Sequence, residues 1–195
     1  MNGHIYIAGV FQTVNRSACG RKGAWVDNDP HFWTSPPTWG ICRNDIRARA
    51  KQGDVIFFVL PRRCRHPQMI FGYLTIAEIV THAEAFKRPD LRSKRMGPKI
   101  PNGNIIVDAN GGYNRYDDNA HLHKFQKIRH HYAIGTEAGS RMLTHEEIRR
   151  KAPTFLTTLS AILNRRGTRP FDVISRAGQK LDEKQVKDLI SWLNS

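Results

Sequence analysis

The stretch from residue 108 to residue 119, DANGGYNRYDDN, places three aspartates and two tyrosines around a Gly-Gly pair. Carboxylates can stabilise an oxocarbenium-like transition state and orient a water molecule, which is the chemistry of glycosidic bond hydrolysis. A nearby tyrosine or histidine can protonate or hydrogen-bond the leaving group, and glycines let the backbone approach a ligand closely. The alternative for Asp117 and Asp118 is a turn with local side-chain caps. The candidate catalytic residues are Asp108, Asn110, Tyr113, Tyr116 and Asp118.

A second segment, AWVDNDPHFWTSPPTWG at residues 24–40, holds three tryptophans interleaved with Asp, Asn and His. Aromatic faces can stack an extruded nucleotide base, at about 1–3 kcal/mol per base, and the polar side chains can read its edge. Each tryptophan could instead belong to the core. The cluster as a whole favours a pocket, because burying the interleaved polar groups would be costly. The candidate base-binding residues are Trp25, Asp27, Asn28, His31, Phe32, Trp33 and Trp39.

The net charge is strongly positive, with 31 Lys and Arg against 17 Asp and Glu, or +14. Nucleic acid is the commonest polyanion that such a domain meets. A membrane surface would call for a basic amphipathic helix, and none stands out; a generally basic protein is the other alternative. The candidate contacts to a nucleic-acid backbone are Arg16, Arg21, Lys22, Arg43, Arg47, Arg62, Arg63, Arg65, Lys94, Arg95, Lys124, Lys127 and Arg129.

The histidines and cysteines do not indicate a metal site. Four histidines in residues 121–131 alternate with lysine and arginine, which disfavours a bound cation and favours a phosphate-binding face. The three cysteines contain no CxxC pair, which argues against zinc and disulfides and for a reducing cytoplasm. No signal peptide or membrane span is recognisable. We therefore predict a cytoplasmic protein without metal or cofactor, and its oligomeric state is left open.

The clearest structural pattern is CRNDIRARAKQGDVIFFVL at residues 42–60. It predicts a short basic helix capped by Asn44 or Asp45, ended by Gly53, and followed by a strand buried on both faces. Further strands are predicted at 4–14, at 69–80, at 104–107 and at 130–134. The strand at 69–80 is expected to pair with residues 54–60 as a hairpin.

The C-terminal part is predicted to be mainly helical. Thr144 and Glu147 form a capping box, and Pro153 is expected to interrupt the helix that follows. Residues 169–176 are a strand or a link, and residues 182–193 have the apolar spacing of an amphipathic helix. The predicted fold is α+β: a curved, mostly antiparallel sheet or small open barrel, with an inserted early helix and appended C-terminal helices. One domain is expected over residues 1–195, with a core at about 4–140 and a helical extension at about 144–195.

The series Trp39-Gly40-Ile41-Cys42, then Ile46-Arg47, then Gly53-Asp54 and an apolar strand resembles the nucleotide-modification-associated domain families, in particular the second of them. Those families are similar to the PUA-like superfamily, which includes the EVE, ASCH, YTH and SRA domains. The resemblance implies work on modified bases in DNA or RNA, with a flipped nucleotide in an aromatic cage, often in a phage-defence setting. Arg43-Asn44 stands where the family usually has Lys-Pro.

Taken together, the charge and the two loops predict a protein that binds double-stranded DNA, flips a base into an aromatic pocket, and excises it as a DNA glycosylase. The resemblance implies that the base is modified, for example a hypermodified cytosine, and that the setting is anti-phage defence. Two alternatives remain open. One is a non-catalytic reader of modified bases in DNA or RNA. The other is an RNA-binding PUA-like module.

Overall fold

The computed structural model describes residues 1–8, 29–61, 67–100, 103–117 and 119–195. Ten of the candidate site residues lie outside these ranges: Arg16, Arg21, Lys22, Trp25, Asp27, Asn28, Arg62, Arg63, Arg65 and Asp118.

The described chain is α+β, with a mixed, open sheet of seven strands. The strands are β1 (Gly3–Ile7), β2 (Thr38–Trp39), β3 (Val55–Val59), β4 (Ile70–Val80), β5 (Tyr132–Gly135), β6 (Arg141–Met142) and β7 (Gln179–Leu181). The helices are α1 (Asn44–Arg47), α2 (His82–Lys87), α3 (Phe125–Ile128), α4 (His145–Leu163), α5 (Pro170–Ile174) and α6 (Glu183–Asn194). Short 3-10 turns lie at Pro89–Lys94, Arg115–Asp117 and Leu122–Lys124. No described helix is long and apolar enough to cross a membrane.

The strand order is β2-β5-β4-β3-β1-β7, with β6 also paired to β4. The sequence predicted that β3 and β4 are neighbours in the sheet, and they are. The pairing of β1 with β3 is parallel, whereas β1–β7, β2–β5, β4–β5 and β4–β6 are antiparallel. The parallel pair makes the sheet mixed, because the chain returns from β1 to β3 through a long connection.

The chain divides into two compact units. Unit 1 comprises Met1–Trp25, Gly53–Tyr73 and Arg141–Ser195, and unit 2 comprises Val26–Gln52 and Leu74–Ser140. In unit 1, all five residues of β3 are fully buried, as the apolar run predicted. Gly3 pairs with Val55, and a Cβ there would lie 2.8 Å from the Val55 carbonyl oxygen. The β1 strand therefore requires glycine at this close approach.

The helices of unit 1 follow most of the sequence pattern. Thr144 and Glu147 form the predicted capping box of α4. The expected interruption at Pro153 is wrong: α4 runs through the proline. A proline removes one backbone N–H, and the buried face of the helix, which includes Phe155 and Leu159, continues beyond it. Residues 169–176 were expected to be a strand or a link, but residues 170–174 form the helix α5.

Unit 2 departs from the predictions at two places. Residues 104–107 are buried but do not form a regular strand, because Ile105 and Val107 make only isolated bridges to Arg95 and Tyr113. Helix α1 has Arg43 at its N-cap, in a left-handed conformation, and no side chain caps it. The expected helix end at Gly53 is wrong as well, because α1 ends at Arg47 with Ala48 as its C-cap. Gly53, which belongs to unit 1, does have a positive φ, of 84°.

Candidate functional site

A buried aspartate organises the interior of unit 2. Asp29 is 1% exposed, and its carboxylate accepts hydrogen bonds from three consecutive backbone N–H groups. These come from Gly40 at 2.6 Å, Ile41 at 2.9 Å and Cys42. The side-chain amide of Asn104 donates to the same carboxylate at 3.2 Å. Asp29 therefore fixes the turn of the Trp-Gly-Ile-Cys sequence, and its role is structural.

A neutral histidine and a tyrosine extend this buried network. His82 lies within 2.9 Å of the Gly40 carbonyl through Nε2 and accepts from the Ile106 N–H through Nδ1. Burial lowers the pKa of His82 to about 3, so the ring is uncharged at neutral pH. The Tyr132 hydroxyl donates to Asn104 at 2.6 Å, and burial raises its pKa well above the ordinary value.

Two predicted contact residues lie in this interior instead of on a surface. Trp39 is fully buried. Arg47 is fully buried as well: its Nε donates to the His131 carbonyl at 2.8 Å, its Nη1 donates to the Cys42 carbonyl, and its guanidinium lies 5.4 Å from the Trp39 ring centroid. The expectations of base stacking by Trp39 and phosphate binding by Arg47 are therefore not met, because internal partners occupy both side chains.

We call residues 31–38 the Trp33 loop, because within this range the aromatic segment has one strongly exposed ring, that of Trp33. Reciprocal backbone hydrogen bonds of 2.8 Å and 3.0 Å between His31 and Thr38 close the loop. Trp33 is 43% exposed, and Phe32 is half-buried. Of the predicted base-binding residues that the structure describes, Trp33 is thus the one best placed to meet a ligand.

Lys94 anchors this loop from beneath. It is fully buried, and its Nζ lies 2.6 Å from the Thr34 carbonyl and 2.9 Å from Nδ1 of His31. Burial lowers the pKa of Lys94 to about 7, and burial together with Lys94 lowers that of His31 to about 4. The expected phosphate contact by Lys94 is not met, since the amine points into the protein.

The loop that begins at Asp108 is a tight turn. One carboxylate oxygen of Asp108, Oδ1, accepts from the backbone N–H groups of Asn110 and Gly112, each at 2.9 Å. The side chain of Asp108 is half-buried and that of Asn110 is exposed. The turn conformation therefore depends on Asp108, whose side chain remains partly exposed.

Three residues that follow this turn in the sequence, spaced four apart, are joined by hydrogen bonds: Tyr113, Asp117 and His121. Asp117 is 6% exposed and accepts from the Tyr113 hydroxyl and from Nδ1 of His121, the latter at 2.8 Å. Burial and the Asp117 carboxylate raise the pKa of Tyr113 well above its usual range. For Asp117 the sequence left a catalytic role and a turn as alternatives, and the list of candidate catalytic residues contained neither Asp117 nor His121. Their four-residue spacing was the available signal, but it is common in chains without any site.

One short segment joins the Trp33 loop and the Asp108 loop. Ser93 hydrogen-bonds Thr34 through their hydroxyls at 2.9 Å. Three residues later, the Met96 carbonyl accepts from the side-chain amide of Asn114 at 2.9 Å. Asn114 in turn accepts from the Tyr116 N–H at 3.1 Å. The Trp33 loop and the Asp108 loop are therefore hydrogen-bonded to opposite ends of the same four-residue segment, 93–96.

Several predicted basic residues lie against aromatic rings of unit 2. The guanidinium of Arg129 is 5.3 Å from the Phe125 ring centroid, and Phe125 packs edge-on against Tyr113 at 5.1 Å. Arg95 lies 4.7 Å from the ring of Phe86. The remaining candidates are Lys127, which is exposed, Lys124, which is half-buried, and Arg43, which pairs with Asp45 at 2.7 Å.

Among the described residues, no three His, Cys, Asp or Glu side chains are arranged to hold a metal ion. Comparison of the chain with protein-family models, with curated proteins and with solved structures found no match.

Proposed function

We propose that this protein binds DNA that carries a modified base and hydrolyses the N-glycosidic bond of that base. The observation that carries the catalytic part is the contact of 2.8 Å between the Asp117 carboxylate and Nδ1 of His121. A carboxylate in this position holds a proton on Nδ1 and leaves Nε2 as the basic nitrogen. The His121 side chain is 21% exposed, and no described residue hydrogen-bonds its Nε2.

The proposed reaction uses a water molecule as nucleophile. His121 takes a proton from the water as its oxygen bonds to C1′ of the sugar. The C1′–N bond breaks, and its electron pair leaves with the base. Asp108 stabilises the positive charge that develops on the sugar. Tyr116, which is 40% exposed, donates a hydrogen bond to the departing base.

The binding part of the proposal rests on charge and on Trp33. A chain with a net charge of +14 attracts a phosphate backbone, and the exposed ring of Trp33 supplies a face for stacking. The preference for a modified base, a PUA-like fold with a C-terminal helical extension, and a cytoplasmic role in phage defence are proposed from the resemblance of the Trp39–Asp54 sequence to the nucleotide-modification-associated and PUA-like families.

The test uses duplexes that each contain one modified cytosine. They are incubated with the protein and then heated in alkali, which breaks the strand at abasic sites. We expect His121→Ala to lower cleavage by about 100-fold or more, the usual contribution of a general base, while DNA affinity changes little. His123→Ala is the matched control, since His123 is an exposed histidine two residues away. Wild-type protein that leaves every modified duplex intact would refute the glycosylase activity.

The second candidate is a reader that binds the modified base without cleaving it. The hydrogen bonds from Asn110 and Gly112 to Asp108 favour it, because they give this carboxylate a purely structural task. A reader would prefer modified over unmodified DNA, and Asp117→Asn would leave that preference intact. Competition between duplex DNA and structured RNA at a fixed salt concentration separates the RNA-binding alternative from both.

A further inference from the structure

Trp33 is 43% exposed, and the loop that carries it is anchored at several points. Backbone hydrogen bonds between His31 and Thr38 close its base. Thr34 follows Trp33 directly, and both its hydroxyl and its carbonyl are engaged, by Ser93 at 2.9 Å and by Lys94 at 2.6 Å. The position of the Trp33 backbone therefore depends in part on contacts made by its immediate neighbour in the sequence.

The Lys94 amine has the surroundings of an uncharged group. A neutral amine has two N–H donors, and Nζ has two acceptors within hydrogen-bond distance, the Thr34 carbonyl and Nδ1 of His31. An ammonium group has three donors and a full charge. No described carboxylate forms an ion pair with this buried side chain, so protonation would leave a charge in the interior without compensation.

The elements packed around Lys94 supply no counter-charge either. From the loop, the facing titratable group is His31, and the Asp29 carboxylate two residues earlier is occupied by backbone N–H groups. From the 103–105 segment, Ile105 donates its N–H to the Lys94 carbonyl, and that segment carries no charged side chain. On the same 3-10 turn, the Asp90 carboxylate is paired with Arg88 at 2.7 Å.

We propose that Lys94 is a positioning residue that holds the Trp33 loop when its amine is neutral and releases it on protonation, so that Trp33 stacks on a nucleic-acid base only above a threshold pH. We call the contact of the neutral Lys94 amine with the Trp33 loop the latch. The stacking role rests on the function proposed above, whereas the latch is a property of the protein alone. Burial lowers the pKa of Lys94 to about 7 and helps to lower that of His31 to about 4, so His31 remains a neutral acceptor while Lys94 titrates.

The latch is tested on the full chain without nucleic acid, with 5-fluorotryptophan and ¹⁹F NMR. The Trp33 resonance is assigned from its loss in Trp33→Phe. We expect this resonance to change with a midpoint near pH 7 in the wild-type protein. Lys94→Gln keeps two N–H donors but does not titrate, so its resonance should stay constant. Lys87→Met, which removes an exposed lysine of the same unit, should titrate like the wild type.

A Trp33 resonance that does not change between about pH 5.5 and about pH 9 overturns the latch, and so does a transition that persists in Lys94→Gln. Should that variant fail to fold, ¹³Cε labelling of the lysines in the wild-type protein replaces it. One lysine must then titrate with the same midpoint as Trp33, and the absence of such a lysine refutes the proposal.

The stacking role is tested by the affinity for DNA with one modified base, compared between wild type and Trp33→Ala at about pH 6 and about pH 8. At the higher pH, the wild type should bind this DNA roughly 5- to 150-fold more tightly than Trp33→Ala, the range expected for one stacked base. The ratio should approach one at the lower pH. A ratio of one at both pH values, together with a normal ¹⁹F transition, refutes the stacking role. A wild-type protein that binds no nucleic acid at all refutes the proposed function, and the ¹⁹F result still decides the latch.

Discussion

Replacing Asp29 with asparagine should destabilise the protein severely, although the two side chains have almost the same shape. In the wild type, Oδ1 accepts from the Gly40 N–H and from Asn104, and Oδ2 accepts from the N–H groups of Ile41 and Cys42. An asparagine has only one oxygen. Whichever way its amide faces, two buried donors lose their acceptor and meet an NH₂ group instead.

The size of the effect follows from the two donors that lose their acceptor. Each buried polar group without a partner costs about 1–3 kcal/mol, so the loss is about 2–6 kcal/mol. The stronger bonds that a charged acceptor makes are lost in addition. Whole domains are stable by only about 5–15 kcal/mol. Asp29→Asn should therefore remove a large part of the total, and the Gly40–Cys42 turn should be the first region to open.

The assay is urea unfolding at neutral pH, with Asp45→Asn as the control. Asp45 is an exposed aspartate paired with Arg43, and such surface pairs are worth about 1 kcal/mol or less. A loss for Asp29→Asn that is no larger than the loss for Asp45→Asn would refute the reasoning. If the variant does not fold, wild-type hydrogen exchange decides, because the amides of Gly40, Ile41 and Cys42 must then be among the best protected in unit 2.

Three further predictions concern stability. The pKa of Lys94 is about 7 in the folded protein against 10.5 ordinarily, so between these pH values the unfolded chain binds a proton that the folded chain does not. The free energy of unfolding should rise with pH across this window, by up to about 1.4 kcal/mol per pH unit, and urea titrations should show no such contribution in Lys94→Gln. Gly40→Ala should cost about 2 kcal/mol or more in the same assay, because its Cβ would lie 2.5 Å from the Tyr132 ring; an unchanged stability would contradict this packing. Pro153→Ala should raise the melting temperature by restoring a helical N–H within α4, since Pro153 is exposed and its ring is not part of the buried face; a lower melting temperature would contradict this reasoning.

The sequence was sufficient wherever a local pattern decides the structure. The apolar run at Val55–Val59, short and made of β-branched and aromatic residues, is typical of a strand covered on both faces. The Thr144–Glu147 pair specifies a helix start through its own two hydrogen bonds. The spacing of Val186, Leu189 and Leu193 defines the buried face of α6. In each case the determining contacts lie within a few residues.

The sequence was insufficient where contacts with residues far along the chain determine the structure. Arg47 and Lys94 look like surface charges in the sequence, but carbonyl groups from residues 131 and 34 provide the partners that allow their burial. Residues 104–107 have the composition of a strand, but the neighbouring backbone belongs to loops. For the candidate site, the sequence pointed to the acidic loop, while the carboxylate that contacts an imidazole proved to be Asp117 rather than Asp108.

The strand β1 has a consequence for how the chain is made. Gly3 pairs with Val55 on one side and with Leu181 on the other, so the sheet of unit 1 cannot be completed until residue 181 has been synthesised. The β2–β5 and β4–β5 pairings of unit 2, in contrast, end at residue 135. On the ribosome, unit 2 can therefore form while β1 still has an open edge, which is a site for mispairing with other chains. We expect nascent chains that stop before β7 to depend on chaperones, and chains that extend beyond it to be released from them.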